Sequence, residues 1–230
     1  MPPLPLRRSL CQPMPSMDIP ILFRDDRLVV LNKPAGLPVY PGRAGGPSVE
    51  DHFPALSRRR DGPWLAHRLD TDTAGCLVVA LRKASLIAAQ AEFAAGRAQK
   101  TYWAVVQGGP VENAGSISAP LLKVTQGRAW KMHVAPAGQP ATTDWKVLGR
   151  GAGVAWLELR PRTGRTHQIR AHCAALGAPI LGDAIYGAAG DKLHLHARAI
   201  TLALVPPVSA LAPPPGHMHV MLQNCGWKGD

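Results

Sequence analysis

The chain has 230 residues, 46% of them hydrophobic and 18% charged, which suits one large domain with a full core and excludes a disordered chain. Its 26 Lys+Arg against 15 Asp+Glu give a formal net charge of +11, and such an excess favours a polyanion through counterion release. An anionic membrane surface would attract the same charge, but no run of about 18 apolar residues and no basic amphipathic helix is evident, which leaves nucleic acid as the expected partner.

Residues 1–17 carry Arg7 and Arg8 but are broken by Pro2, Pro3, Pro5, Pro13 and Pro15, against both the apolar stretch of a signal peptide and an amphipathic transit helix. They are expected to form a disordered tail, with Met14 or Met17 as candidate starts because patterned sequence begins near Ile19. Ile19 to Phe23 and Leu28 to Leu31 flank Arg24-Asp25-Asp26-Arg27 and predict a hairpin. Asn32 to Gly36 breaks the pattern, and the Gly-rich stretch Pro41 to Pro47 reads as a mobile loop. Trp64 to His67 and Cys76 to Leu81 read as strands around a turn holding Asp70. Leu86, Ile87, Gln90, Phe93 and Ala94 recur at helical spacing over Ala84 to Arg97, with Gly96 near the end.

Strands are then predicted over Thr101 to Val106, Ser116 to Leu121, Trp130 to Ala135, Ala141 to Leu148 and Val154 to Arg160. Thr166 is the predicted N-cap of a helix stopping at Gly177, and Leu193 to Leu202 is a further strand. Strands interrupted by a few helices, without a βαβ rhythm, predict an α+β domain built on a largely antiparallel mixed β-sheet with flanking helices. A single domain over 18–225 and a short C-terminal tail over 226–230 are expected.

Cys11, Cys76, Cys173 and Cys225 form no CxxC pair, so neither a zinc knuckle nor a disulfide framework is indicated, and a reducing cytoplasm is the expected compartment. His194 and His196 share a strand face, and His217 and His219 repeat the spacing, but no cysteine or carboxylate completes a metal set.

The chemistry lies in two segments. His67-Arg68-Leu69-Asp70-Thr71-Asp72-Thr73-Ala74-Gly75 places a carboxylate in a turn, and Arg162 to His172 offers several guanidinium groups to answer it. An arbitrary turn aspartate caps neighbouring amides; that explanation serves Asp72 better than Asp70. Arg58-Arg59-Arg60 reads as a solvated run adding nonspecific attraction.

With Asn32 to Gly36, Lys100 to Ala104, Gly182 to Gly187 and Leu193 to Ala197, these segments resemble the pseudouridine synthases of the RluA group, which isomerise uridine to pseudouridine in ribosomal or transfer RNA. The resemblance runs from Leu28 to about Arg198. Ala74 stands where that group usually has Ser, and there is no room for the N-terminal S4 domain that many members carry. The resemblance implies a pseudouridine synthase-like fold and a cofactor-independent isomerase in which Asp70 is the essential carboxylate. Arg170 would hold and orient that carboxylate, and Tyr102 would stack on the target base. A uracil inside folded RNA must be turned out of its stack, and Arg68 is implied at the vacancy. Arg165 and Lys33 are expected at RNA phosphates, and His67 and Thr73 are grouped with the RNA-binding motif, although His67 and His172 also suit structural hydrogen bonding. No metal, membrane or obligate protein partner is implied, and a monomer is expected. A noncatalytic RNA-binding or assembly protein of the same fold is the alternative, and a nucleic-acid glycosidase releasing free uracil is a third reading.

Overall fold

The computed structural model describes residues 18–42, 45–59, 61–127 and 129–230. The expected N-terminal tail, part of the Gly-rich loop and Arg60 of the basic run lie outside these residues. Asp25 closes the first hairpin: one carboxylate oxygen accepts the backbone N–H groups of Arg27 and Leu28 at 2.8 and 2.7 Å, satisfying amides that the turn leaves free. The hairpin joins β1 (Ile21–Arg24) to β2 (Leu28–Lys33), and β2 pairs antiparallel with β4 (Ala74–Ala80). Both are apolar runs because both faces are covered. Val30, Cys76 and Val78 pack on one side with Leu86 and Ala89 of α2 (Lys83–Ala94). Val29, Leu31, Leu77 and Val79 pack on the other with Phe53 and Leu56 of the short α1 (Phe53–Leu56). The buried stripe of α2 is Leu86, Ala89 and the partly buried Phe93, whereas Ile87, expected on it, is 59% exposed.

The second half of the sheet contains β5 (Gln99–Gln107), β10 (Val154–Pro161), β9 (Thr142–Gly151) and β6 (Ala114–Ser118). β11 (Leu195–Leu202) joins it to the first half. The strand order is β1-β2-β4-β11-β5-β10-β9-β6, and the β4–β11 pair is its one parallel neighbour pair, so the sheet is mixed and largely antiparallel, as expected. α3 (Gln168–Ala175) covers one face of this half through Ile169 and Cys173. The opposite face is covered by α4 (Gly216–Asn224), through Met218 and Leu222.

The parallel contact is short. β4 and β11 meet at Ala74–His196 and Gly75–Ala197 and then part, and β3 (Trp64–Leu65) and β12 (Val208–Leu211) pair with them beyond the fork. Gly75 makes this approach possible: its φ is +108°, and a Cβ there would collide with the Ala197 carbonyl. Gly75→Ala is therefore expected to lower the unfolding free energy by about 2–3 kcal/mol, a difference that urea titration monitored by tryptophan fluorescence resolves.

Several expectations need correction. Ser116 to Leu121 is not one strand: Ala119 and Pro120 interrupt it, and Leu121 begins β7 (Leu121–Gln126), which pairs with β8 (Ala129–Val134) as a separate hairpin. Proline supplies no ladder N–H, so a break there is natural. The helix expected from Thr166 begins at Gln168, after His167 in the left-handed region at φ +51°. Its stop is as expected, with Gly177 at φ +71°. β12 and α4 were not anticipated, because the prolines from Pro206 to Pro215 hide them. The presumed C-terminal tail is held: Trp227 packs against the α4 cluster, and both Asp230 oxygens accept from the Arg198 guanidinium at 2.6 and 2.8 Å. Arg198 itself lies over the Trp103 ring at 4.2 Å.

Candidate active site

Asp70 lies in the loop that precedes β4, beside the sheet fork. The loop is short because the Thr73 N–H closes a turn on the Asp70 carbonyl at 3.1 Å. It is fixed from beneath by Lys33, whose ammonium donates to the carbonyls of Pro34, Leu37 and Thr71 at 2.8, 2.7 and 2.8 Å. Lys33 has no exposed surface, and burial pushes its pKa down to about 8 despite the nearby Asp72 and Asp70. It is thus an anchor of the Asp70-loop backbone and not the phosphate contact that was expected; its three donors are already engaged.

Across the cleft, α3 presents Arg170. The side chain is buried, and its Nε and Nη2 donate to the two oxygens of Asp183 at 2.8 and 2.7 Å. Burial opposes the Arg170 charge, but the hydrogen bonds and charge of Asp183 outweigh it, and the net shift strengthens the guanidinium. Asp183 in turn is burdened by its own burial, yet the Arg170 pairing and the backbone N–H groups of Ile185 and Tyr186 bring its pKa below the ordinary carboxylate value. With Nε and Nη2 committed to Asp183, Nη1 is left to face Asp70 Oδ2 at 3.6 Å and His167 Nε2 at 3.4 Å. A planar, bidentate fork fixes this direction in a way that a flexible ammonium would not.

Two cavities meet at these residues. The inner one, of about 490 Å³, is lined by Arg68, Asp70, Tyr102, Arg165, Arg170 and Leu195, among others, a size ordinary for a small-molecule site. The outer one, of about 960 Å³, is an open cleft that includes Tyr40, Arg68, Asp70, Trp130, His167 and Arg170. Tyr102 of β5 borders the inner cavity; burial, and then the Asp70 charge, raise its pKa, so the ring enters the site as a neutral phenol. Arg68 is exposed where the cavities join and lies 5.5 Å over the Tyr40 ring. Arg165 is exposed at the rim, and its Nε donates to the Pro140 carbonyl at 3.1 Å.

Two further expectations change. His67 borders the inner cavity, but its Nε2 accepts the Val78 N–H of β4 at 3.0 Å and its ring packs on Phe93. Burial pushes its pKa down to about 4. It serves as a neutral wall of the inner cavity and as strand support, with no face on the outer cleft. Thr73 is 2% exposed and borders the inner cavity alone, with no face on the outer cleft. His194, His196, His217 and His219 each place a ring nitrogen on a backbone carbonyl. The latter two lie on α4, where a spacing of two residues does not share a face.

A family model described as RNA pseudouridylate synthase matches residues 27–175. The chain belongs to that family. This pseudouridine synthase is 37% identical over 211 residues to an uncharacterized RNA pseudouridine synthase of Zymomonas mobilis, an alignment covering 88% of the chain and 96% of the relative. It is 38% identical over 192 residues to the dual-specificity RNA pseudouridine synthase RluA of Escherichia coli, with 79% and 85% coverage. Among solved structures, human RNA pseudouridylate synthase domain containing 1 superposes with a TM-score of 0.75 at 30% identity, covering 89% of this chain and 86% of that one. Human RNA pseudouridylate synthase domain containing 4 gives 0.75 at 28%, with 89% and 92% coverage. The chain is thus an isomerase of the RluA group with the α+β fold of these synthases.

Asp183, His167, Gln168 and Trp130 also belong to the site, although no local sequence signal gives them a role there. Gln168 is the organiser of the α3 start. Its amide oxygen accepts from Thr163 Oγ1 and the Arg165 N–H at 2.7 and 3.0 Å, and its Nε2 donates to the Thr142 carbonyl and Thr143 Oγ1, both at 3.0 Å. The preference for Thr166 rested on its cap propensity; a glutamine reaching back across the loop does that work here. His172 continues the network, contacting Thr143 Oγ1 at 2.9 Å and the Ala119 carbonyl at 3.0 Å.

Proposed function

We propose that Asp70 carries the isomerisation of a uridine everted from a structured ribosomal or transfer RNA. The observation that carries this is the Asp70 carboxylate facing the unshared edge of Arg170 at 3.6 Å, at the junction of the two cavities. The reaction breaks the bond from ribose C1′ to uracil N1, turns the base and joins C5 to C1′, so the site must hold a detached base and exclude water. A carboxylate initiates it either by attack at C1′ or by taking the C2′ proton, and both routes start from the same oxygens.

In this reading the inner cavity takes the uracil, with Tyr102 against its face. The outer cleft takes the strand from which it came. Arg68, exposed between them and paired with an aromatic ring, stacks in the vacancy left by the everted base. Arg165 at the rim contacts phosphate, and the net charge of +11 supplies nonspecific attraction. The dual specificity of the Escherichia coli relative supports ribosomal and transfer RNA as the substrates to try first. The free, buried Cys76, Cys173 and Cys225 suit a reducing cytoplasm. No helix among the described residues is long and apolar enough to cross a membrane.

The test is pseudouridine mapping across total RNA from cells with and without this protein, together with tritium release from RNA labelled at uracil C5. Loss of defined pseudouridines and release by the purified protein are expected. RNA binding without release selects the noncatalytic alternative, and free uracil selects a glycosidase.

A further inference from the structure

His167 lies against Asp70, Arg170, Tyr186 and Trp130, yet the mechanism above leaves it idle. Its Nε2 lies 3.7 Å from Asp70 Oδ2. Its other nitrogen, Nδ1, lies 3.1 Å from the Tyr186 hydroxyl, and that hydroxyl accepts the backbone N–H of Met132 on β8 at 2.8 Å. The ring is stacked on Trp130, also on β8, with centroids 4.8 Å apart and planes at 25°. Tyr186 closes the other side edge-on at 5.7 Å. The backbone is left-handed at φ +51°, a conformation uncommon outside glycine and retained where the surroundings impose it.

These contacts decide where the imidazole proton sits. Among the described residues the Tyr186 hydroxyl has Met132 and His167 as its hydrogen-bond partners. Having accepted from Met132, it satisfies its own proton by donating to Nδ1. The neutral ring then carries its hydrogen on Nε2. Around Nε2, Arg170 Nη1 can only donate and lies at 3.4 Å, while Asp70 Oδ2 can only accept and lies at 3.7 Å; a hydrogen on Nε2 therefore requires Nη1 to turn its own hydrogen from the ring to Asp70 Oδ2, which it faces at 3.6 Å. Burial, the leading influence on His167, lowers its pKa; Asp70 and Asp183 oppose that, and Arg170 and Arg68 reinforce it, so the ring stays neutral.

We propose that His167 is a positioning residue for Asp70: its Nε2–H turns one carboxylate oxygen toward α3 and leaves the other for the ribose, with Tyr186 and Trp130 setting its orientation. The β7–β8 hairpin is thereby wired to the reacting carboxylate, since Trp130 lines the outer cleft while Met132 holds the Tyr186 hydroxyl. At 3.7 Å the His167–Asp70 contact is longer than a hydrogen bond, and it closes when substrate orders the site. This inference rests on the assignment of Asp70 given above.

Single-turnover and steady-state kinetics on a minimal RNA stem-loop test it with His167→Asn, His167→Gln and Tyr186→Phe. Asparagine tolerates the left-handed backbone but cannot reach Asp70, so kcat is expected to fall about 100-fold with KM unchanged, the usual effect of a misplaced reacting group. Glutamine carries an N–H at nearly the distance of Nε2 and is expected to recover at least a tenth of wild-type kcat. Tyr186→Phe removes the hydroxyl's bonds to His167 Nδ1 and to the Met132 N–H and is expected to lower kcat about tenfold. Independently of any variant's folding, nitrogen-15 spectra of the wild-type protein should show His167 protonated at Nε2 and bare at Nδ1. The reverse tautomer overturns the proposal, as does unchanged kcat in His167→Asn, or a loss confined to KM. Wild-type protein that makes no pseudouridine instead overturns the Asp70 assignment and this inference with it.

Discussion

Asp70→Asn is expected to bind structured RNA with wild-type affinity and to lower kcat by about 10⁴-fold, because an amide can neither attack C1′ nor take a proton. The substitution is nearly isosteric. The neighbouring loop is held by Lys33 on the Thr71 carbonyl and by the Thr73 turn, neither of which uses the Asp70 side chain, so the fold should persist. Gel-shift titration and tritium release separate the two effects. Undiminished release removes Asp70 from its role, and lost binding with unchanged turnover makes it an RNA contact instead.

Asp183→Asn is expected to give the largest loss of stability, about 3–5 kcal/mol, because it strands a buried guanidinium. The Asp183 side chain has no exposed surface and that of Arg170 is 7% exposed, so water cannot take the lost partner's place. In a chain of this size the melting temperature should drop by about 10 °C. Activity should fall with it, since Arg170 loses the two bonds that aim Nη1 at Asp70. The pH dependence has a fixed sign. The folded-state pKa of Asp183 lies below the ordinary value of 3.8, so its contribution is complete above that value and disappears as the pH falls through the lower folded one. Wild type and Asp183→Asn should therefore converge in stability below about pH 4, as calorimetry across pH can measure. A constant difference between them at all pH values would mean that the pair contributes by packing and not by charge.

That Asp70, Arg170 and Tyr102 belong to one site was legible because each sits in a short ordered segment whose spacing survives in one dimension. The strand Cys76 to Leu81 and the helix after Ala84 were legible for a similar reason, as apolar runs and helical periodicity are local properties. Lys33, His67 and Thr73 misled. A basic or polar residue beside a motif looks available for phosphate, and only burial shows that the Lys33 donors are used on carbonyls and that the His67 ring supports β4. Thr166 misled through cap propensity, which is a weak prior against a buried glutamine with four residues to bind. The β7–β8 hairpin was half seen, as one strand at Trp130, because β7 is mostly exposed and lacks an alternating core face.

By itself the sequence determined the class of protein, the α+β architecture and the motifs that carry the chemistry. Those depend on charge, periodicity and residue order, which a chain has before it folds. Tertiary structure decided the rest: that Asp183 holds Arg170, that Lys33 lies beneath the Asp70 loop, and that a hairpin far from Asp70 in the chain reaches it through Tyr186 and His167. Such roles depend on which polar groups lose water together, and desolvation is set by neighbours in space.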